Sequence, residues 1–329
     1  MVSMGTYYDL GIWLVLYVQS WGTWLLSPME FFSFLGSEQF FLLVMPFLYW
    51  CLDTGLARRI GFILILGNSL NVILKLAWHS PRPFWYTREV SAYAFEGSFG
   101  VPSGHAQNSA AVWGVLAASL AKNWITGAAV LLVFLIGLSR VYLAVHFPQD
   151  VLVGWLIGGA VLWLYLRLEG PVKDWLEKRS LGAQALTALL ASLAFVAIGG
   201  LVRFTLNDWA LPVEWIENAR AAFPDEEINP LSLEGLLTSA GALFGFAGGI
   251  AWLEARGGMD VSGAWWKRGL RFLIGVAGVV ALWAGLGAIF PAGEILAAYA
   301  LRYLRYALVG FWIAALAPEV FLKIGLAKR

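Results

Sequence analysis

The sequence predicts an all-α, polytopic membrane helical bundle, and three observations support this fold class. Of the 329 residues, 60% are hydrophobic and 13% are charged, whereas a soluble domain usually carries about 25% charged residues. The apolar residues form long continuous runs without the period-two alternation of half-buried strands. A backbone surrounded by lipid must satisfy its own hydrogen bonds, and long continuous runs do so as helices.

Polar hinges divide the apolar residues into about ten predicted helices. In chain order the runs are 9–26, 37–52, 60–78, 105–121, 124–142, 149–168, 184–203, 232–252, 272–290 and 302–322. The first run is short for a crossing, which needs about 20 residues, so it either spans the bilayer or lies in its interface. The hydrophilic segment 169–183 separates a six-helix core from four further helices.

Charge asymmetry predicts the orientation of these helices. If the crossings alternate, most Lys and Arg residues outside the polar islands fall on one side, which the positive-inside bias makes cytoplasmic. The opposite side receives the acidic segment 204–231 and the polar islands at 75–83, 102–105 and 139–150. The sequence therefore predicts a multi-pass protein of the cell membrane whose functional residues meet at the extracytoplasmic face.

Composition also excludes some functions. The net charge is +1 and there is no basic run, so the chain lacks the cationic footprint that nucleic acid binding needs. The single cysteine, Cys51, has no partner for an intrachain disulfide. No motif identifies a protein partner, a metal site or a cofactor.

Three cations in the polar islands point to an anionic ligand. Lys75, Arg82 and Arg140 lie in or beside apolar runs, where a charged residue costs roughly 2.5 kcal/mol or more. Each alone is explained equally well by snorkelling to the interface. Together they favour a multiply charged oxyanion such as phosphate. Ser103 and Gly104 precede a predicted helix start, where Ser103 can cap the helix and the exposed N–H groups also favour an anion.

Two histidines near these cations suit phosphoryl transfer. His146 and Asp150 are four residues apart, which places them on one helical face, so that the carboxylate can fix the imidazole tautomer and leave the other nitrogen as a nucleophile. His105, on another helix, can protonate the departing oxygen. His79 has no matching carboxylate and is either a structural hydrogen-bonding group or a secondary substrate contact.

Taken in order, these residues resemble the three-part signature of the type 2 phosphatidic acid phosphatase superfamily. The motifs are Lys75 with Arg82-Pro83, Pro102-Ser103-Gly104-His105, and Ser139-Arg140 with His146 and Asp150. The resemblance covers roughly residues 35–170. It implies a metal-independent phosphatase, without a cofactor, that hydrolyses a phosphomonoester or diphosphate headgroup of a lipid within the bilayer.

The resemblance also implies roles for the signature residues. His146 would form a phosphohistidine, Asp150 would orient it, and His105 would protonate the leaving group. The phosphate oxygens would be held by Lys75, Arg82, Ser103, Gly104 and Arg140.

The hydrophilic segment and the resemblance together divide the chain into a phosphatase-like transmembrane core at 1–170, with its motif region at about 35–170, a cytoplasmic linker at 171–183, and additional transmembrane helices of unknown role at 184–329. Within the last segment, Arg302 and Arg305 fall on the catalytic face by alternation. They either form an interfacial aromatic and basic belt or bind a second phosphate.

Two other functions fit the same residues. A lipid phosphotransferase would use the same phosphohistidine with water excluded, and a lipid transporter or scramblase would use the scaffold without the nucleophile. The substrate stays open among polyprenyl diphosphate, phosphatidic acid, phosphatidylglycerol phosphate and a sphingoid-base phosphate.

Overall fold

The computed structural model describes residues 4–329, which fold into helices joined by loops, as the all-α prediction requires. The helices are α1 Met4–Gln19, α2 Leu26–Leu35, α3 Glu38–Phe47, α4 Thr54–Trp78, α5 Pro83–Tyr86, α6 Gly104–Leu120, α7 Asn123–Tyr142, α8 Pro148–Glu177, α9 Leu181–Phe204, α10 Val213–Ala222, α11 Glu234–Glu254, α12 Trp265–Ile289, α13 Leu296–Phe311 and α14 Ala317–Lys323. Two π-helical turns, Leu48–Leu52 and Trp312–Leu316, continue α3 and α13.

Within residues 4–329, seven helical segments are long and apolar enough to cross a membrane. They are Thr54–Tyr86, Asn123–Tyr142, Pro148–Glu177, Leu181–Phe204, Glu234–Glu254, Trp265–Ile289 and Leu296–Lys323. The pair Thr23–Leu35 and Glu38–Leu52, bent by 51°, would add an eighth span. The first predicted run falls mainly on α1, whose 16 residues are fewer than the roughly 20 of an untilted crossing. The protein is therefore a multi-pass membrane protein.

Internal contacts divide the chain into two compact units. Unit 1 comprises the described residues of Met1–Phe41, with Leu70–Trp163 and Leu201–Ser232, and unit 2 comprises Leu42–Ser69, Leu164–Gly200 and Leu233–Arg329. The predicted linker at 171–183 is largely helical, because α8 continues to Glu177 and α9 begins at Leu181. The functional division of the chain at that linker stays a prediction.

In unit 1, α7 packs against α1, α2 and α6, and the backbone of α8 approaches that of α6 closely. Glycines on α8 permit this approach. A Cβ on Gly154 would lie 2.7 Å from the carbonyl oxygen of Ser103, and a Cβ on Gly158 would collide with the carbonyl oxygen of Gln107. These glycines therefore act as a packing site that holds the start of α6 against α8.

Gly158→Ala is expected to destabilise the protein, because the added methyl group must push α8 away from α6. Overpacking of this kind costs about 1–3 kcal/mol. Gly159→Ala is the matched control, since a Cβ there meets nothing within 4 Å. Thermal unfolding in detergent micelles should show a lower melting temperature for the first variant and little change for the second. Equal melting temperatures would contradict this packing.

Unit 2 is built around α11 and α13, where Gly241 and Gly245 let the two backbones meet at Tyr303 and Ala307. Its most buried charge is Arg271, which is 1% exposed. The guanidinium donates hydrogen bonds of 2.5–3.1 Å to four backbone carbonyl groups, those of Trp50, Val261, Ser262 and Leu326. These bonds compensate for its desolvation, so Arg271 has a structural explanation.

Candidate active site

The structure brings the polar islands together inside unit 1, at the ends of helices. Lys75 lies in the last turn of α4 and Arg82 directly before α5. Ser103 to His105 begin α6, Arg140 lies in the last turn of α7, and His146 and Asp150 lie on either side of the start of α8. Because each of these residues is at a helix end, five helices position one polar cluster.

The neighbours of His146 determine its tautomer. Its Nδ1 lies 3.3 Å from Asp150 Oδ2, and its Nε2 lies 3.1 Å from Nη1 of Arg82. A guanidinium group only donates hydrogen bonds, so Nε2 must accept and the proton must be on Nδ1, facing the carboxylate. Asp150 Oδ2 also accepts a hydrogen bond of 2.9 Å from the backbone N–H of Phe147. The lone pair of Nε2 therefore faces the cations.

Arg82 is fully buried and held by the loops around it. Its guanidinium donates to the carbonyl groups of Ser98, Phe99 and Val145 at 2.5–3.1 Å, and to the hydroxyl of Ser98 at 3.1 Å. With the bond to His146, these contacts use its five N–H donors. Four of these five N–H groups donate to carbonyl or hydroxyl oxygens. The fifth, on Nη1, donates to Nε2 of His146.

Lys75 and Arg140 complete the cationic cluster. Lys75 Nζ donates to the hydroxyl of Ser98 at 2.8 Å. Arg140 Nη1 donates to Ser33 Oγ at 2.5 Å, and its Nη2 donates to the carboxylate of Glu96. Nε of Arg140 is buried and has no acceptor within the described residues. A buried donor without an acceptor is costly, and a bound oxyanion would supply that acceptor.

Electrostatics keep Glu96 ionised and His146 neutral. Burial alone raises the pKa of the Glu96 carboxyl, but Arg82 and Arg140 together lower that pKa well below its usual range. Burial, with the charge of Arg82 next in effect, lowers the pKa of His146 well below its ordinary value. A neutral imidazole beside three cations is the form that can attack phosphorus.

The start of α6 is organised as the sequence predicts. The side chain of Ser103 caps the helix by accepting a hydrogen bond of 3.4 Å from the N–H of Ala106. Asn71 donates to the carbonyl of Pro102 at 3.2 Å and to Gln107 at 2.9 Å, which ties α4 to this turn. A Cβ on Gly104 would lie 3.2 Å from the side-chain oxygen of Asn71, so the turn is tightly packed.

His105 lies in the first turn of α6 within the same electrostatic cluster. The charges of Arg140, Glu96 and Lys75 lie close enough to its ring to interact with it electrostatically. The ring of His105 also lies within electrostatic range of His146. Its role as an acid stays a prediction.

His79 occupies a different environment. Its ring packs edge-on against Trp209 and Phe99, at 5.3 and 6.3 Å between centroids, and its Nδ1 lies 3.2 Å from the carbonyl of Ala77. These contacts favour the structural alternative over the substrate contact. The backbone φ of 34° lies in the left-handed region, where Asn is tolerated better than most residues.

His79→Asn is expected to leave kcat/KM for phosphate release within about threefold of the wild type, because the contacts it removes are with Trp209, Phe99 and Ala77 and not with the cationic cluster. Steady-state kinetics against a lipid phosphate would check this. A loss of two orders of magnitude in a variant with an unchanged melting temperature would instead place His79 in the substrate site.

Arg302 and Arg305 belong to unit 2. Arg302 forms an ion pair with Glu234 at 2.9 Å and a hydrogen bond of 3.1 Å to Thr238. The guanidinium of Arg305 lies 5.0 Å from the ring centre of Tyr306. Both arginines line a cavity of about 70 Å³ in unit 2. Their suggested role in binding a second phosphate stays a prediction.

Sequence reasoning missed Glu96, Ser98 and Ser33. Glu96 and Ser98 lie in the helix-free loop between α5 and α6, and Ser33 lies in α2. Functional residues in loops follow no regular spacing. The available signal was that Glu96 is an acidic residue between two motifs that contain cations. Within residues 4–329, no group of three or more His, Cys, Asp or Glu side chains is arranged to hold a metal ion.

Two family models of one superfamily match the chain. Residues 56–173 match the PAP2 superfamily, and residues 237–329 match the transmembrane extension of PAP2 superfamily phosphatases. The first range contains every signature residue, and the second covers much of the segment that the sequence left unexplained.

Curated relatives include phosphatases of two kinds. Glucose-6-phosphatase 3 of Bos taurus is 30% identical over 224 residues, which are 59% of this chain and 60% of the relative. Phosphatidylglycerophosphatase B of Bacillus subtilis is 32% identical over 127 residues, which are 35% of this chain and 60% of the relative. The chain thus spans about three fifths of the length of these relatives.

A crystal structure of a transmembrane PAP2-type phosphatidylglycerolphosphate phosphatase from Bacillus subtilis aligns with a TM-score of 0.44 and 23% identity, over 52% of this chain and 90% of that one. The family models agree with the signature that the sequence carries, and together they account for both the site and the carboxyl-terminal helices. The chain therefore belongs to the PAP2 superfamily.

Proposed function

We propose that this protein is a membrane phosphatase that hydrolyses a lipid phosphate through a phosphohistidine on His146. The observation that carries the proposal is the pair of contacts on the His146 ring. Asp150 accepts a hydrogen bond of 3.3 Å from Nδ1–H, while the lone pair of Nε2 faces Arg82 in the cationic cluster. This arrangement supports a nucleophile next to an oxyanion site.

In the first chemical step, Nε2 of His146 attacks phosphorus and the bond from phosphorus to the leaving oxygen breaks. His105 gives its proton to that oxygen. The N–H of Arg82 that rests on Nε2 is released as the nitrogen attacks, and it can then donate to a phosphate oxygen. Lys75 and Arg140 compensate for the charge of the other oxygens.

In the second step, water attacks the phosphorus of the phosphohistidine and the bond between phosphorus and Nε2 breaks. His105, which is neutral after the first step, accepts a proton from that water. His105 is thereby protonated again, as it was at the start. Asp150 accepts the hydrogen bond from Nδ1–H throughout and stabilises the positive charge that develops on the ring. The step releases inorganic phosphate and regenerates the free imidazole.

A lipid is the substrate class that the surroundings of the site favour. Apolar side chains of α8 within unit 1, such as Leu152 and Leu156, are 55% and 74% exposed, as expected for a lipid-facing helix. A headgroup can enter the cluster while its tail stays in the bilayer. Phosphatidylglycerophosphatase B is a lipid phosphatase among the relatives. By the charge asymmetry of the sequence, we place the active site on the extracytoplasmic side of the cell membrane.

A second candidate is the hydrolysis of a water-soluble sugar phosphate. The observation that favours it is the match to glucose-6-phosphatase 3, which extends over 59% of this chain rather than 35%. The same cluster would perform the same chemistry, so the two candidates differ in the leaving group alone.

The test is phosphate release by the purified full chain from a panel of substrates in the presence of EDTA. The panel holds phosphatidic acid, phosphatidylglycerol phosphate, a polyprenyl diphosphate, a sphingoid-base phosphate and glucose 6-phosphate. The proposal expects a lipid phosphate to be preferred and EDTA to have no effect. Preference for glucose 6-phosphate would establish the second candidate, and loss of activity in EDTA would contradict the mechanism. A phosphorylated acceptor lipid in place of inorganic phosphate would establish a phosphotransferase.

A further inference from the structure

Glu96 places a carboxylate inside the cationic cluster, although the signature motifs and the proposed chemistry do not use it. Its Oε1 accepts a hydrogen bond from Arg140 Nη2, and its Oε2 lies 3.7 Å from Arg82 Nη2. The Glu96 side chain is 28% exposed, whereas those of Arg82 and Arg140 are 0% and 4% exposed. The carboxylate is therefore more accessible than either arginine, and it bridges them.

These arginines are the groups to which the proposed function assigns the substrate phosphate. Carboxylate and phosphate oxygens are recognised by guanidinium groups with the same hydrogen-bond geometry. One N–H of Arg140 cannot donate fully to both anions, and two anions at one position repel each other. A phosphate that engages Arg140 through both Nε and Nη2 therefore requires Glu96 to leave Nη2.

The loop that carries Glu96 allows such a movement. Residues 87–103 contain no helix, and the loop is fixed next to Glu96 by the contacts of Ser98 and Phe99 with Lys75 and Arg82. Within the described residues, the polar contacts of the Glu96 side chain are those with the two arginines. A change of its side-chain rotamer would vacate the position without moving the rest of the loop.

We propose that Glu96 is a positioning residue that occupies the phosphate position of the substrate-free site, and that the phosphate of the substrate displaces its carboxylate from Arg140. This inference rests on the proposed function, which assigns phosphate to the cluster. An internal counter-ion keeps the cations neutralised and ordered before substrate arrives. It also favours substrates whose phosphate carries two or more negative charges, because a singly charged phosphodiester competes less well with a carboxylate.

The test is the dissociation constant of inorganic phosphate, measured by calorimetry on the full chain in detergent micelles. Glu96→Gln keeps the shape of the side chain and removes its charge, so it is expected to bind phosphate about tenfold more tightly, because the competing state is lost. Glu89→Gln is the matched control, since Glu89 is exposed on the same loop. The control should bind phosphate as the wild type does.

A second variant tests the inference if Glu96→Gln does not fold. Glu96→Asp keeps the charge but is one methylene shorter and cannot bridge both arginines, so it is expected to bind phosphate about threefold more tightly than the wild type. The inference is overturned if folded Glu96→Gln binds phosphate no more tightly than the wild type. If Glu96→Gln does not fold, the same result in Glu96→Asp overturns it. Glu96 would then hold Arg140 in a fixed position.

Phosphate release from the substrate panel is measured in parallel. If the wild-type chain releases no phosphate from any substrate, the proposed function fails. The comparison of phosphate affinities still decides whether Glu96 competes for the anion site.

Discussion

His146→Ala is expected to lower kcat for phosphate release by about 10³-fold or more, which is the scale of losing a covalent nucleophile. The reason is that the lone pair of Nε2 of His146 faces Arg82, and the hydrogen bond from Nδ1 to Asp150 fixes this tautomer. Phosphate release measured at saturating substrate would give the change in kcat directly.

His79→Ala is a suitable control for the loss of an imidazole, because His79 packs among aromatic rings in the same unit. Activity of His146→Ala within tenfold of the wild type would contradict the proposed nucleophile. His146→Ala could lose phosphate release and still translocate lipid. That result would instead support lipid transport as an additional activity.

Asp150→Asn is expected to lower kcat by about 10²–10⁴-fold with little change in phosphate affinity. The Asp150 carboxylate is fully buried and accepts from both His146 Nδ1 and the backbone N–H of Phe147. The amide keeps the size of the side chain but loses the charge that stabilises the developing imidazolium. Because Asp150 does not belong to the proposed phosphate-binding group, the effect should appear in kcat rather than in binding.

Asp208→Asn provides a control at an exposed carboxylate of the same unit and should retain wild-type kinetics. Comparing kcat with the dissociation constant of inorganic phosphate separates the two roles of Asp150. A weakened phosphate affinity with an unchanged kcat would show that Asp150 binds the anion and does not orient His146.

The sequence predicted the helical bundle and the gathering of the motif residues because both depend on strong, local signals. Long apolar runs set the helices, and charges within such runs have few alternatives to a shared polar site. The capping role of Ser103 followed from its place before a helix start. The four-residue spacing of His146 and Asp150 likewise predicted the contact between their side chains.

Other features depend on tertiary contacts that no single sequence reveals. Glu96 reaches the cluster from a loop, and loop conformation follows no hydrophobic period. The contact of Arg140 with Ser33 joins residues 107 positions apart. The sequence left His79 open between a structural role and a substrate contact, because its packing against Phe99 and Trp209 joins residues that are distant in the sequence.

The most direct test of the account is to trap the phosphoenzyme. The wild-type chain is mixed with a preferred substrate, quenched with base within one turnover, and digested for mass spectrometry, since phosphohistidine survives base. We expect one phosphoryl group on His146, with none in His146→Ala and a reduced amount in Asp150→Asn. A phosphoryl group on another residue, or single-turnover phosphate release without any phosphorylated peptide, would contradict the proposal that His146 is the nucleophile.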